Sequence, residues 1–215
     1  EVAAFDPLSQ LDPAKARRLW RAEQWLCAVL GCAKKSVLAQ DNLPSDRSDW
    51  SLVAGLPNGS VDGASRFLHR AQFRGPRSVS PADFPNLMLS SAAGHTSIYH
   101  HIQGPVVATT EIDTSWESAV VTSFELVLSG VSTVCAVVGG QGSDPATSRV
   151  RGSSRPVSEG AAALVLASDS SALCQHAVAE LCQAWSWADL PSRRIALDSL
   201  DVSANCLVVR SVANL

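Results

Sequence analysis

The sequence predicts a layered α/β fold, a sheet with helices packed on both of its faces. The runs 50-WSLVAGL-56, 133-TVCAVVGG-140 and 161-AAALVLAS-168 have strand length and are almost continuously apolar rather than alternating, as strands covered on both faces are. Segments with apolar residues at helical spacing separate them, which supplies the two covering layers. With 215 residues, 46% of them hydrophobic, the chain can bury one sizeable core.

Taken in order, Asp12 followed by Pro13 makes a helix cap and first-turn pair, and Ala16, Leu19, Trp20, Ala22, Leu26, Cys27, Val29 and Leu30 continue at helical spacing. One long helix over 13–39 is expected. The polar 41-DNLPSDRSD-49 is a turn, Trp50 to Leu56 a buried strand, and 57-PNGSVDG-63 a glycine-containing turn into a helix over 62–73. Three prolines fix 75-GPRSVSPADFPN-86 as a loop, and 87-LMLSSAAGHTSIYHHIQ-103 reads as a helix rich in small residues. Val106 to Ile112 is a β-branched strand, followed by a turn at Asp113 and a helix over 116–129 that stops at Gly130. Strands at 133–140 and 161–168 flank the polar loop 141–160, and a further strand is expected near 175–185.

Seventeen basic against twenty acidic residues give a net charge of −3, and no Lys/Arg cluster interleaves with aromatics, so nucleic acid is excluded as a partner. The six cysteines sit in apolar runs without CxxC pairs, which reads as buried reduced thiols in a cytoplasmic protein and implies neither a metal nor a cofactor. The longest apolar runs are about eight residues, against the roughly 20 a membrane-spanning helix needs, so no membrane contact is expected. The first residue is Glu1 rather than Met, which leaves room for a longer N-terminus.

A strand turning sharply into a helix is where many enzymes mount a nucleophile, because the helix N-terminus presents free N–H groups and a positive dipole end. Here that stretch is 104-GPVVATTEIDTSWESAVVTSFELVLSG-130. Around it stand, in order, 75-GPRSVSP-81, FPN at 84–86, 93-AGHTSIYHHIQGP-105, SG at 129–130, VVGG at 137–140 and 159-EGAAALVLAS-168. Together they resemble the N-terminal half of β-ketoacyl-acyl-carrier-protein synthases, the ketosynthases of fatty-acid and polyketide assembly, over about residues 5–182. The resemblance implies a thiolase-like fold, represented by its N-terminal half: a ketosynthase-like domain over 1–182 and a divergent tail over 183–215. In that tail 195-IALDSLDVSANCLVVRSV-212 is a source of replacement strands.

Matching GP at Gly104 and Pro105 and the helix-closing glycine at Gly130, the family's catalytic cysteine falls on Asp113. A carboxylate is a weak nucleophile, and the mixed anhydride it would form is too reactive to hold an acyl chain. The family's catalytic histidines and lysine belong to a C-terminal half that this sequence does not contain. His95 corresponds to a structural histidine, expected to bond to backbone in the core, and His100 and His101 are expected at the surface; His69 and His176 match no catalytic position. In 113-DTSWESA-119, SxES resembles the non-catalytic ketosynthase-like relatives of chain-length factors found with aryl polyene, flexirubin and other type II polyketide-like systems. Trp116 reads as a core or interface anchor.

Two functions follow. The first is a catalytically inactive accessory subunit of an acyl-carrier-protein-dependent pathway, pairing with itself or with an active ketosynthase, with acyl carrier protein a further candidate partner. The resemblance implies pairing through the N-terminal half, by way of the strand after the nucleophile helix and its surroundings. The second is an acyl-substrate enzyme such as a decarboxylase, using Asp113 and Glu117, four apart on one helix face, as an acid–base pair. Against the second, Asp113 also fits a helix cap accepting N–H from Ser115 or Trp116, and Glu117 a first-turn acid favoured by the dipole.

Overall fold

The computed structural model describes residues 6–38, 49–111, 114–141, 160–168, 171, 179–181 and 206–209. Five helices, α1 (Pro13–Ala16), α2 (Arg21–Leu38), α3 (Val61–Arg74), α4 (Ser91–His100) and α5 (Ser115–Leu128), accompany a sheet. Its strands are β1 (Trp50–Gly55), β2 (Val106–Thr109), β3 (Val134–Gln141), β4 (Gly160–Ser168), β5 (Ala179–Leu181) and β6 (Cys206–Val209), in the order β2-β1-β3-β4-β6-β5. β1, β2 and β3 run parallel, β4 is antiparallel to β3, and β6 runs parallel to both β4 and β5.

The side chains explain why the strands read as unbroken apolar runs. On β1, Leu52 and Ala54 pack with Leu26 and Leu30 of α2 and Ala92 and Ala93 of α4, while Val53 between them packs with Ala119, Val120, Phe124 and Val127 of α5. β3 divides the same way: Val134, Ala136 and Val138 face α2 and α4, and Cys135 and Val137 face α5. On β4, Val165 and Ala167 join the first side and Leu166 the second. Each strand has the period of two that pleating imposes, but both sets are buried, so polarity never alternates.

Several boundaries differ from the sequence reading for local reasons. The single helix over 13–39 is two, because the chain leaves helical geometry at 17–20. Asp12 Oδ1 accepts from Ala14 N at 2.8 Å to start α1, as the sequence suggests, and Glu23 accepts from Trp20 N at 2.8 Å to start α2 anew. Leu19 and Trp20 keep their apolar spacing across the break, which hides it from periodicity. The proline-fixed loop contains two 3-10 turns, Pro76–Ser78 and Pro81–Leu87, and the helix expected from 87 begins only at Ser91. It ends at His101, whose φ of 55° lets Ile102 N reach Ser97 O at 2.9 Å. Gly130, with φ of 73°, ends α5 as its sequence position implies. The loop expected over 141–160 lies, between Gln141 and Gly160, outside the described residues.

The strand expected near 175–185 is the short β5, and β6, from beyond residue 182, sits between it and β4. Of the implied pairing region, the strand itself has no open edge. β3, which follows α5, lies between β1 and β4 with both edges hydrogen-bonded and has none to offer a partner. Among the described residues the sheet ends on that side at β2.

Candidate functional site

The carboxyl ends of the three parallel strands converge where α5 begins. The approach is close because two glycines permit it. A Cβ at Gly55, the last residue of β1, would stand 2.6 Å from Ser115 O and 3.0 Å from Trp116 Cα. One at Gly139, near the end of β3, would run into the Trp116 ring. Thr109 Oγ1, closing β2, donates to Ser115 O at 2.7 Å. Three strands thus hold the first turn of α5 by a carbonyl, a ring and a backbone approach. Trp116 lies on Gly139 and packs against the cluster of Val53, Val137 and Phe124, which fits the anchor expected of it.

Ile112 and Asp113 lie outside the described residues, and with them the capping bonds expected of Asp113. Thr114 stands in the capping position without a side-chain bond, and Ser115, buried, opens the helix. Glu117 is in the first turn, half-buried, and makes no hydrogen bond or ion pair among the described residues. Among the described residues the first turn of α5 therefore offers the Glu117 carboxylate, the Trp116 indole and the N–H groups of a helix start.

No thiol joins them. The stretch 104–134 contains no cysteine. Cys135, next along the chain, is buried on β3 under α5, and burial pushes its pKa up despite hydrogen bonds from Ser51, Ser123 and the Val53 backbone. Cys27 on α2 is also buried, 3.7 Å from Thr96 Oγ1, and burial pushes it up to about 12. Neither can supply a thiolate near neutral pH. Both are the buried thiols expected; Cys32 is half-buried, 3.8 Å from Gln10 Oε1. Among the described residues no group of three or more His, Cys, Asp or Glu converges as a metal site would require. No helix among them is long and apolar enough to cross a membrane.

The histidines exchange the places expected of them. His95 bonds not to backbone but to Glu23, its Nδ1 2.7 Å from Oε1 of a carboxylate that is 2% exposed. That hydrogen bond raises the His95 pKa, burial lowers it, and the charge of Glu23 adds to the rise. His100 is buried rather than at the surface, with Nε2 2.9 Å from Cys27 O and Nδ1 3.5 Å from Lys34 Nζ. Its position carried the signal, since Ala93, Thr96 and His100 recur at i, i+3 and i+7 and so share the inward face of α4. His101 is exposed, as expected. Glu23 was the residue missed, and its signal was an acid three residues into a helix, placed to reach back to the capping N–H. His69 is exposed beside Phe73, with ring centroids 4.4 Å apart, and His176 lies outside the described residues.

The chain matches no family model and no curated protein. Among the solved structures that resemble it are three that match over 76% of this chain. They are the ishigamide ketosynthase/chain length factor (22% identity, TM-score 0.61) and a ketosynthase in complex with its chain length factor from Xenorhabdus doucetiae (19%, 0.57). The third is a type II polyketide synthase acyl-carrier protein in complex with its ketosynthase bound to the hexaketide (17%, 0.61). The chain spans 48%, 66% and 51% of these chains, respectively. At such identities the likeness establishes the fold. The layered sheet with α5 mounted at the strand ends is thus a ketosynthase-like fold of the thiolase type, spanning about half the length of the first and third of those chains.

Proposed function

We propose that this chain is a ketosynthase-like, chain-length-factor-like subunit without condensing activity, serving an acyl-carrier-protein-dependent pathway of the fatty-acid or polyketide type. The observation that carries the reading is the first turn of α5. The strand ends hold it as they would hold a nucleophile's mount, yet no cysteine occurs in 104–134, the sequence has Asp113 where the family's cysteine would fall, and a Trp116 ring covers Gly139. The neighbouring thiol, Cys135, is sealed beneath the helix.

Pairing with a second copy or with an active ketosynthase is the rest of the proposal. β2 supports it by ending the sheet among the described residues. Pro105 and Thr109 give their carbonyls to Leu52 and Leu56 of β1, at 2.9 and 2.8 Å. By parallel-sheet geometry the backbone groups of Val106 and Ala108 therefore point outward, where a partner strand would add. Val106 is 41% exposed, and α4, which packs against β2, exposes Ile98. Two of the similar structures are complexes, one of a ketosynthase with its chain length factor and one of a carrier protein with its ketosynthase; they suggest the partner classes. The buried thiols fit a cytoplasmic setting.

Incubation of the purified chain with acyl and malonyl carrier proteins tests the central claim. Intact-mass spectra are expected to stay at the mass of the bare polypeptide, with no β-ketoacyl product. An acyl-enzyme adduct or a condensation product overturns the reading.

A further inference from the structure

α3 stands apart from the sheet, and its main neighbours are the two 3-10 turns that follow it. Ser60 Oγ, donating to Leu87 O at 2.7 Å, ties this unit to itself. It exposes Leu68 and Phe73 from α3 and Phe84 and Met88 from the turns. The turn Pro81–Leu87 packs against α4, with Ser91 Oγ donating to Asn86 O at 3.2 Å, while α3 itself meets Trp20. The Trp20 ring lies directly on Gly63, where any Cβ would run into it, and the Arg66 guanidinium stands over the same ring, 5.3 Å from its centroid.

Trp20 is in turn held by its backbone. Its N–H donates to Glu23 Oε2 at 2.8 Å, while Glu23 Oε1 meets His95 Nδ1 at 2.7 Å. The carboxylate is thus shared between the start of α2 and the imidazole of α4, and is 2% exposed, whereas the His95 side chain is 31% exposed and within reach of solvent protons. We propose that His95, Glu23 and Trp20 form a proton-linked latch that holds α3 against the body of the protein, tight while His95 is protonated and loosened when it is not.

A buried carboxylate is costly to leave without a full counter-charge. With His95 neutral, the Glu23 charge keeps only dipolar partners and gains by moving toward water. That motion gives up the Trp20 N–H, and with it the position of the ring on Gly63. Among the described residues, Glu23 is the charged group bonded to His95. Farther along α2, Cys27 is bonded to Thr96, its pKa raised to about 12, and Lys34 is turned to His100. Asp83, on the turn packed against α4, pairs with Arg70 at 3.4 Å, and Lys15 lies over the Tyr99 ring. The Glu23 hydrogen bond raises His95 above its ordinary value of 6.5. A raised folded-state value places the latch's contribution fully below about 6.5, and it is lost as pH rises through the folded pKa. The inference does not depend on the absence of condensing activity.

Hydrogen exchange by mass spectrometry between pH 5.5 and 8.5, corrected for intrinsic rates, reads α3 directly, with β3 as internal reference. In the parent, protection of 61–74 is expected to fall several-fold across the titration of the His95 ring followed by NMR, with 134–141 unchanged. His95→Gln is expected to remove the pH dependence and leave α3 at the loosened level. Glu23→Gln is expected to lower the His95 midpoint. Constant α3 protection in the parent, the same pH dependence in His95→Gln, or a parent His95 midpoint at or below 6.5 each overturns the latch. Retained β3 protection distinguishes a loosened unit from an unfolded variant.

Discussion

Gly139→Ala drives a methyl group into the Trp116 ring, and the size of the effect follows from what must yield. A Cβ at this position would meet three ring atoms, with Cζ3 at 2.9 Å and Cδ2 at 3.3 Å, so the indole has to swing off the sheet. Overpacking of this kind costs about 1–3 kcal/mol. Gly139 lacks a left-handed φ, so alanine also narrows the unfolded ensemble and returns about 0.4–1 kcal/mol, leaving a net loss of about 1–2 kcal/mol. Trp116→Ala removes a half-buried ring and is expected to cost about 2–3 kcal/mol, below the roughly 3–5 of a fully buried one. In the double variant the methyl meets no ring, so Gly139→Ala becomes neutral or stabilising, a coupling of about 2 kcal/mol. At Gly55 the obstacle is the Ser115 carbonyl, and Trp116→Ala should not rescue Gly55→Ala. Urea unfolding monitored by circular dichroism gives all the values, provided m stays constant. Additivity of Gly139→Ala and Trp116→Ala within about 0.5 kcal/mol refutes the packing account.

Asp113→Ala is expected to cost about 1 kcal/mol in the same assay and Asp113→Asn almost nothing, as for a helix cap. Unchanged or increased stability of the alanine variant ends the cap reading and favours a carboxylate kept for chemistry at a cost to stability. Val106→Pro removes an outward N–H at the first residue of β2, where proline is tolerated. Light scattering is expected to find the parent above the 22.6 kDa of one chain and this variant at it; an identical mass for both, or a monomeric parent, counts against pairing at β2.

The fold class was legible because both faces of β1, β3 and the 165–167 stretch of β4 are buried, and that leaves an unbroken apolar run in the sequence. The break at 17–20 was not, since Leu19 and Trp20 continue the helical spacing and only the tertiary role of Glu23 marks a new start. Strand order was invisible too: which edge β3 offers depends on β4 turning back antiparallel, and nothing in 134–168 encodes that direction in composition. At the candidate site, Trp116 stood out by its size among small residues, but its seat on Gly139 requires two segments to meet. His95 and His100 could be told apart only by helical phase, and the partner of His95 lies 72 residues away in sequence.

The central strand carries a kinetic consequence. β1 finds its parallel neighbours far along the chain: Ala54 and Thr109 are 55 residues apart, and the hydroxyls of Ser51 and Ser132, which meet at 2.8 Å between β1 and the start of β3, are 81 apart. Loop closure must be met before such pairings reward the chain, so high contact order slows folding. Until then Trp50–Gly55 is an apolar strand with two open edges, the kind of segment that aggregates. The local unit of α5 and β3 can form early. The yield of native protein then depends on how soon β1 docks onto it, and conditions that hasten nonspecific collapse ahead of that docking lower the yield without weakening the finished fold.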